Sequence, residues 1–376
     1  MTTYRIAAIP GDGVGPEVTG AARRVLDVAG EAFGFDIAWS DIAAGGNAID
    51  AYGVAIRPED VTRAGAGDAI LLGAVGGPRW DDPTATVRPE QCLFALRGEL
   101  KLFANLRPVT IHPGLVASSP LRPELLAGVD LRIVRELTGG IYFGERQEAT
   151  GPVGERTALD TLPYTEAEIR RVVRLGFELA RARRGRLTSV DKANVIATSR
   201  LWRRVVEEEK PNFPDVEVNH QLVDSCAMLL IKSPGWFDVI VTENLFGDIL
   251  SDEASVLAGS LGMLPSASLG ERKTEHGMFG MYEPIHGSAP DIAGRGIANP
   301  VGTILSAAML ARWSLGREDV ATAIESAVAG VLDAGLRTAD LAAPGHDSAS
   351  TTEMTEAIVG RIAITEAARE AAAAPT

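Results

Sequence analysis

The chain has 376 residues, 46% of them hydrophobic and 23% charged, so it can bury a large core in about two domains and is no disordered polymer. A formal net charge of −14 argues against nucleic acid or an anionic membrane as a partner. Cys92 and Cys226 stand far apart outside any CxxC pattern, which excludes a disulfide framework and suits a reducing, cytoplasmic setting.

Residues 4–10 (Tyr-Arg-Ile-Ala-Ala-Ile-Pro) predict a buried strand, and the residues before them lack the basic-then-apolar pattern of a signal peptide. Gly11-Asp12-Gly13-Val14-Gly15 follows as a tight turn near a ligand, because its spacing is not the dinucleotide fingerprint and no matching acid follows. Pro16 and Glu17 then open a helix, where an early proline and an early acid are favoured. Residues 68–73 predict a second buried strand, ended by the glycine-rich turn 73–78; 131–136 and 237–242 read likewise. Segment 141–165 breaks this rhythm. It is rich in Gly, Pro and Thr, with strand character in Ile141-Tyr142-Phe143 and in 157–162, so a projecting β-arm is expected. Over 165–184, Ile169, Val172, Val173, Gly176, Phe177 and Ala180 follow the three-four spacing of an amphipathic helix, with arginines on its other face. The most apolar long run, 297–313, is broken by Asn299, Pro300 and Gly302 and predicts a buried helix too short to cross a bilayer. The alanine-rich residues 367–376 are expected to fray. Strands alternating with helices predict an α/β fold with a largely parallel sheet.

Several residues could carry chemistry. Asp248 and Asp252 lie four apart, so a helix places both carboxylates on one face, where they repel unless a cation or solvent compensates them. Hard oxygen donors of this kind suit Mg²⁺ or Mn²⁺, while a solvated acidic face is the alternative. Arg97, Arg107 and Arg135 stand in uncharged company and need partners if buried, either a bound dicarboxylate or structural ion pairs with Glu99 and Glu136. Lys192 follows the apparent strand 187–190 as a candidate general base, or as a plain surface lysine. The loop His286-Gly287-Ser288-Ala289-Pro290-Asp291-Ile292, which ends near Asn299, is dense in small residues and backbone donors and could approach a nucleotide closely, or could be an ordinary turn.

With these residues in view, the chain resembles the isocitrate/isopropylmalate family of β-decarboxylating dehydrogenases, its isopropylmalate branch above all. The resemblance runs from about Tyr4 to about Ile364 through an ordered series of signatures. These are 10–17, Gly76-Gly77-Pro78 with Trp80, Arg88-Pro89-Glu90, 103–108, 135–145, 191–194, 244–252, 262–268 and 283–299. It implies a two-domain α/β fold with a mixed, largely parallel sheet and a projecting β-arm, and not a true Rossmann fold. A discontinuous cofactor-binding domain over 1–102 plus 259–376 is implied, with a substrate and dimerisation domain over 103–258 and the arm at about 141–165. The implied activity is NAD-dependent oxidative decarboxylation of (2R,3S)-3-isopropylmalate to 4-methyl-2-oxopentanoate and CO2, in leucine biosynthesis, with Mg²⁺ or Mn²⁺.

Position by position, the resemblance assigns substrate carboxylates to Arg97, Arg107 and Arg135, and the substrate pocket also to Glu90, Leu93, Phe94 and Asp224. The metal falls to Asp248 and Asp252, with Asp224 from the second subunit of a homodimer. Lys192, also from that subunit, would be the base, and Tyr142 the proton donor. NAD would contact Gly77, Pro78, Glu90, His286, Gly287, Ser288, Ala289, Pro290, Asp291, Ile292 and Asn299. At Cys92-Leu93-Phe94 the family more often shows Gly-Leu-Leu, so the pocket is reshaped by Phe94 but stays apolar. That apolarity disfavours an isocitrate-like extra carboxylate, and less strongly the smaller tartrate or D-malate. A nucleotide-binding module without catalysis would break at least one of Lys192, Tyr142, Asp224, Asp248 and Asp252; all are present.

Overall fold

The structure is a computed structural model that describes residues 1–82, 84–151, 154–343 and 345–373. In chain order the strands are β1 (Thr2–Gly11), β2 (Phe35–Asp41), β3 (Ala69–Ala74), β4 (Ala104–Thr110), β5 (Asp130–Glu136) and β6 (Arg146–Thr150). They continue as β7 (Arg156–Asp160), β8 (Arg186–Asp191), β9 (Glu217–Leu222), β10 (Val239–Thr242), β11 (Pro265–Lys273) and β12 (Met278–Pro284). The chain forms two compact units. One holds the described residues of Met1–Leu102, His112–Pro120 and Ala258–Thr376, the other Phe103–Ile111 and Leu121–Leu257.

In the first unit the strand order is β2-β1-β3-β12-β11, parallel except for the antiparallel pair β11/β12. The central strand β3 is buried at every position, as a strand covered on both faces must be. The helix Gly15–Phe33 carries Pro16 and Glu17 in its first turn, as the sequence predicts, and packs against Val301–Trp313 and Thr351–Ala373. Helix Val301–Trp313 is buried at ten positions, which marks a core helix and not an amphipathic surface one. No helix among the described residues is long and apolar enough to cross a membrane. The fraying expected at 367–376 falls partly outside the described residues; helix Thr351–Ala373 carries the backbone to Ala373.

In the second unit the order is β4-β5-β10-β8-β9, with β4/β5 antiparallel and the rest parallel. The sheet is therefore α/β, mixed and mostly parallel, as expected. Helix Glu166–Arg181 opens with a capping box, in which Thr165 and Glu168 satisfy each other's backbone donors. It buries Ile169, Val172, Val173, Gly176, Phe177 and Ala180, the stripe read from the sequence.

The arm differs in detail. Ile141-Tyr142-Phe143 is a turn and not a strand, because Gly140 takes a left-handed φ of 75° and Phe143 N donates to Gly140 O at 3.1 Å. The hairpin is β6 against β7, antiparallel and exposed at every position. Pro152 and Val153 of the expected arm lie outside the described residues.

Candidate active site

The second unit gathers the candidate catalytic and metal-holding residues. Antiparallel pairing of β4 with β5 sets Asn105 opposite Arg135 and Arg107 opposite Ile133, so both arginines share one face of the sheet. Helix Asn244–Ser255 begins two residues beyond β10, which runs parallel beside β5, and its first turns therefore lie near the end of β5. Glu243 caps this helix by accepting from Leu245 N at 3.1 Å and Phe246 N at 2.7 Å, while burial raises its pKa above the usual carboxylate value. One turn apart, Asp248 and Asp252 meet the two arginines.

Arg107 Nη1 donates to Asp252 Oδ1 at 3.0 Å and to Ser251 Oγ at 2.6 Å, and its Nη2 lies 3.5 Å from Asp248 Oδ1. Arg135 Nη1 donates to Asp248 Oδ1 in a short ion pair. Tyr142 Oη donates to Asp248 Oδ2 at 3.1 Å. Burial, the Asp248 charge and this hydrogen bond all raise the Tyr142 pKa, so its proton is held at neutral pH. Burial raises the pKa of Asp252 too; Arg107 opposes that shift and Asp248 adds to it.

Lys192, just after β8, donates to Asp224 Oδ1 in the first turn of helix Val223–Lys232, and this hydrogen bond lowers the pKa of the exposed Asp224 carboxylate. Two groupings thus arise within one unit: Arg107, Arg135, Tyr142, Asp248 and Asp252 in one, Lys192 and Asp224 in the other. Among the described residues no three His, Cys, Asp or Glu side chains form a metal-holding group. Asp248 and Asp252 offer a pair of hard donors on one helix face, which suits a divalent cation.

The first unit holds the others. Arg97, on helix Gln91–Glu99, is buried and donates from Nη2 to Glu283 Oε1 at 2.9 Å, while its Nε has no hydrogen-bond partner. The expected partners prove different. Arg97 pairs with Glu283 of β12 rather than with Glu99, and Glu136 accepts from Thr138, Gly139 and Tyr164. Leu93 and Phe94 are half-buried on the same helix as Arg97, and Glu90, just before it, is exposed.

Around the glycine turn, Gly13 has φ +59° and a Cβ there would stand 1.9 Å from Ser288 O. Only glycine allows the loop that contains His286, Gly287, Ser288, Ala289, Pro290, Asp291 and Ile292 to lie this close. Val14 N donates to Ser288 O at 2.8 Å, and Ile292 packs against the small core of Val14, Val18 and Ala298. Burial lowers the pKa of His286, whose Nε2 is buried without a partner. Asn299 donates to Asp340 Oδ2 at 3.0 Å. The backbone before Gly77 and Pro78 is pinned through Gly76 N, which donates to Asp12 Oδ2 at 2.9 Å.

Sequence reasoning passed over Asn244, Glu283, Asp12, Glu17 and Asp340. Glu17 was read only as an early helix acid; it also accepts from Gly294 N at 2.6 Å and Gly296 N at 3.1 Å, tying the 286–299 loop to the glycine turn. The only signal for Asn244 and Glu283 was their place inside the quoted signatures.

The chain is similar to known proteins over nearly its whole length. Residues 5–358 match the family model described as isocitrate/isopropylmalate dehydrogenase. The chain is 55% identical over 359 residues to the 3-isopropylmalate dehydrogenase of Anaeromyxobacter dehalogenans (strain 2CP-C), covering 96% of this chain and 99% of that one. It is 55% identical over 358 residues to the 3-isopropylmalate dehydrogenase of Geobacillus kaustophilus (strain HTA426), covering 95% of each. Among solved structures, the isocitrate dehydrogenase of Methylococcus capsulatus superimposes with a TM-score of 0.84 at 34% identity, covering 96% of this chain and 99% of that one. A family model matched over nearly the whole length, and relatives more than half identical, make this chain a member of the isocitrate/isopropylmalate dehydrogenase family.

Proposed function

We propose that the chain catalyses NAD-dependent oxidative decarboxylation of (2R,3S)-3-isopropylmalate to 4-methyl-2-oxopentanoate and CO2, a step of leucine biosynthesis in the cytoplasm. The observation that carries this reading is the convergence of Arg107, Arg135 and Tyr142 on the paired carboxylates Asp248 and Asp252. The printed names of the 55%-identical relatives favour the isopropylmalate branch, and half-buried Leu93 and Phe94 suit an apolar branch on the substrate.

Residue roles follow from chemistry. Arg97, Arg107 and Arg135 take the two carboxylates of the substrate, since guanidinium forks match carboxylates bidentately. Asp248 and Asp252, with Asp224 of the partner subunit, would hold Mg²⁺ or Mn²⁺, which when bound supplies Lewis-acid polarisation of the 2-oxygen. Lys192 of the partner subunit, as the neutral amine, would accept the hydroxyl proton, and bound NAD would supply the hydride acceptor. Tyr142, kept protonated by burial and by Asp248, returns a proton to carbon once CO2 has left. Gly77, Pro78, Glu90, His286–Ile292 and Asn299 would hold NAD, and the Asp291 carboxylate would accept hydrogen bonds from ribose hydroxyls. A homodimer with shared sites is supported by the exposed β6/β7 hairpin and by exposed Met228, Ile231, Ile249 and Val256.

The test is steady-state kinetics on purified protein with NAD, Mg²⁺ and a panel of 2-hydroxy diacids. One methylene in an apolar pocket changes discrimination by about 10–200-fold, so isopropylmalate should exceed D-malate and tartrate in kcat/KM by at least about 100-fold. Replacing NAD by NADP should cost at least about tenfold, because Asp291 would repel a 2′-phosphate. A preference for tartrate, D-malate or isocitrate, or equal use of NADP, overturns the corresponding part of the reading.

A further inference from the structure

We infer that Asn244 and Gly247 form a berth that orients Arg135 without adding a second negative charge to the one Asp248 already sets against it, which makes Asn244 a positioning residue for recognition of the substrate carboxylate. The inference rests on the function proposed above and adds residues to it.

The side chain of Asn244 is buried, and each of its polar atoms is committed. Its Oδ1 accepts from Arg135 Nε at 3.0 Å and from Arg135 Nη2 at 2.8 Å, the two-pronged edge of the guanidinium. Its Nδ2 donates to Gly139 O at 2.9 Å, in the segment that leads from β5 into the Tyr142 turn. Its backbone N donates to Tyr164 Oη at 3.0 Å, and Tyr164 donates to the buried carboxylate of Glu136 at 3.1 Å. One residue thus ties the guanidinium plane, the Tyr142 turn and the start of the helix that bears Asp248 and Asp252.

Gly247, one turn further on, completes the fit. A Cβ there would lie 2.6 Å from Arg135 Cγ and 2.7 Å from Arg135 Cβ. Those atoms sit at the root of the side chain and cannot swing aside, so only a bare glycine lets the arginine stem lie against the helix.

The chemistry of the amide explains why a neutral residue serves here. A carboxylate in place of the Asn244 amide would accept the same two hydrogen bonds and hold Arg135 at least as firmly. It would also place a second negative charge beside a guanidinium that already pairs with Asp248, and weaken its attraction for an incoming carboxylate. The amide accepts from the arginine without adding to the negative charge that Asp248 already sets against it.

The experiment compares wild type with Asn244→Asp, Asn244→Leu and Gly247→Ala. It uses full-length protein with NAD and Mg²⁺, and follows initial rates against isopropylmalate and NAD separately. Isothermal titration of isopropylmalate with Mg²⁺ but no NAD reads binding without turnover. The Asp variant should raise the KM and Kd for isopropylmalate about tenfold or more, the scale of a lost charge-assisted contact, with KM for NAD within about twofold of wild type. Its melting temperature should fall, because a carboxylate cannot donate to Gly139 O. The Leu and Ala variants should raise KM for the diacid by a similar factor while lowering the melting temperature. A purely structural role predicts that Asp, which keeps both bonds to Arg135 and loses only the one to Gly139 O, raises KM and Kd less than Leu, which loses all three; that result, or an unchanged KM for Asp, overturns the inference. If wild type turns over no diacid of the panel, the functional reading falls and takes the inference with it. An active wild type beside an unaltered Asp variant sinks the inference alone.

Discussion

Asp12 is the keystone of the first unit's loops, and removing its carboxylate should be costly in a calculable way. Its Oδ2 accepts from Gly46 N at 2.7 Å and Gly76 N at 2.9 Å, and its Oδ1 accepts from Asn47 N at 2.9 Å. Gly46 and Gly76 are buried, whereas Asn47 is exposed and can turn to water. In Asp12→Ala two buried donors therefore lose their acceptor at about 1–3 kcal/mol each, or about 4 kcal/mol together. In Asp12→Asn the amide oxygen can take the Oδ2 position and keep both glycine contacts. Only the charge assistance and the Asn47 contact are lost, about 1–2 kcal/mol. For a unit of this size about 1 kcal/mol lowers the melting temperature by about 2–4 °C, so falls of about 8–16 °C and about 2–8 °C are expected. Differential scanning fluorimetry measures the shifts, and hydrogen exchange by mass spectrometry tests whether protection is lost in peptides covering 45–47 and 74–77. Equal shifts for the two variants, a fall below about 3 °C for Asp12→Ala, or unchanged protection in those peptides would refute the reasoning.

Two further outcomes are expected. Burial pushes the thiols of Cys92 and Cys226 up to about 12 from an ordinary 9.0, so neither should react with iodoacetamide at pH 8 until the protein unfolds. Their contribution to stability is complete below pH 9, where both states hold the proton, and is lost as pH rises from 9 towards 12; melting scans across that range check the sign. In the proposed shared-site dimer, Lys192→Met and Asp248→Asn should each be nearly inactive, yet co-refolding them should recover about a quarter of wild-type activity. No recovery despite verified subunit exchange, or a monomer by light scattering, would rule out the shared site.

Periodic signals carried most of the fold. Residues 68–73, 131–136 and 237–242 correspond to β3, β5 and β10 within two residues, because continuous apolar runs and flanking glycines are local properties. Strand direction was not local. The antiparallel pair β4/β5 depends on how the chain returns, and no residue type marks it. The arginines were legible as needing partners, but which partner was not: Glu283 lies 186 positions from Arg97, and Asn244 lies 109 from Arg135. Ion pairs with the neighbours Glu99 and Glu136 are one of two alternatives that the local sequence offers, whereas the fold brings Glu283 and Asn244 against these arginines from far along the chain. The turn at Ile141-Tyr142-Phe143 was misread for a related reason. Its apolar and aromatic composition suits a strand, and the left-handed backbone at Gly140 overrides it.

The pairing of β3 with β12 also sets the order in which the molecule can mature during synthesis. The second unit lies almost wholly between Phe103 and Leu257 and can close once that stretch has left the ribosome. The first unit cannot. Its amino-terminal strands need β12, and the apolar stripe of helix Gly15–Phe33 needs Val301–Trp313 and Thr351–Ala373. At about 5–20 residues per second, the first hundred residues wait for tens of seconds with an open strand edge and a bare helix face. The part of the chain made first is therefore the part completed last, and during that interval it is the segment most in need of chaperone protection.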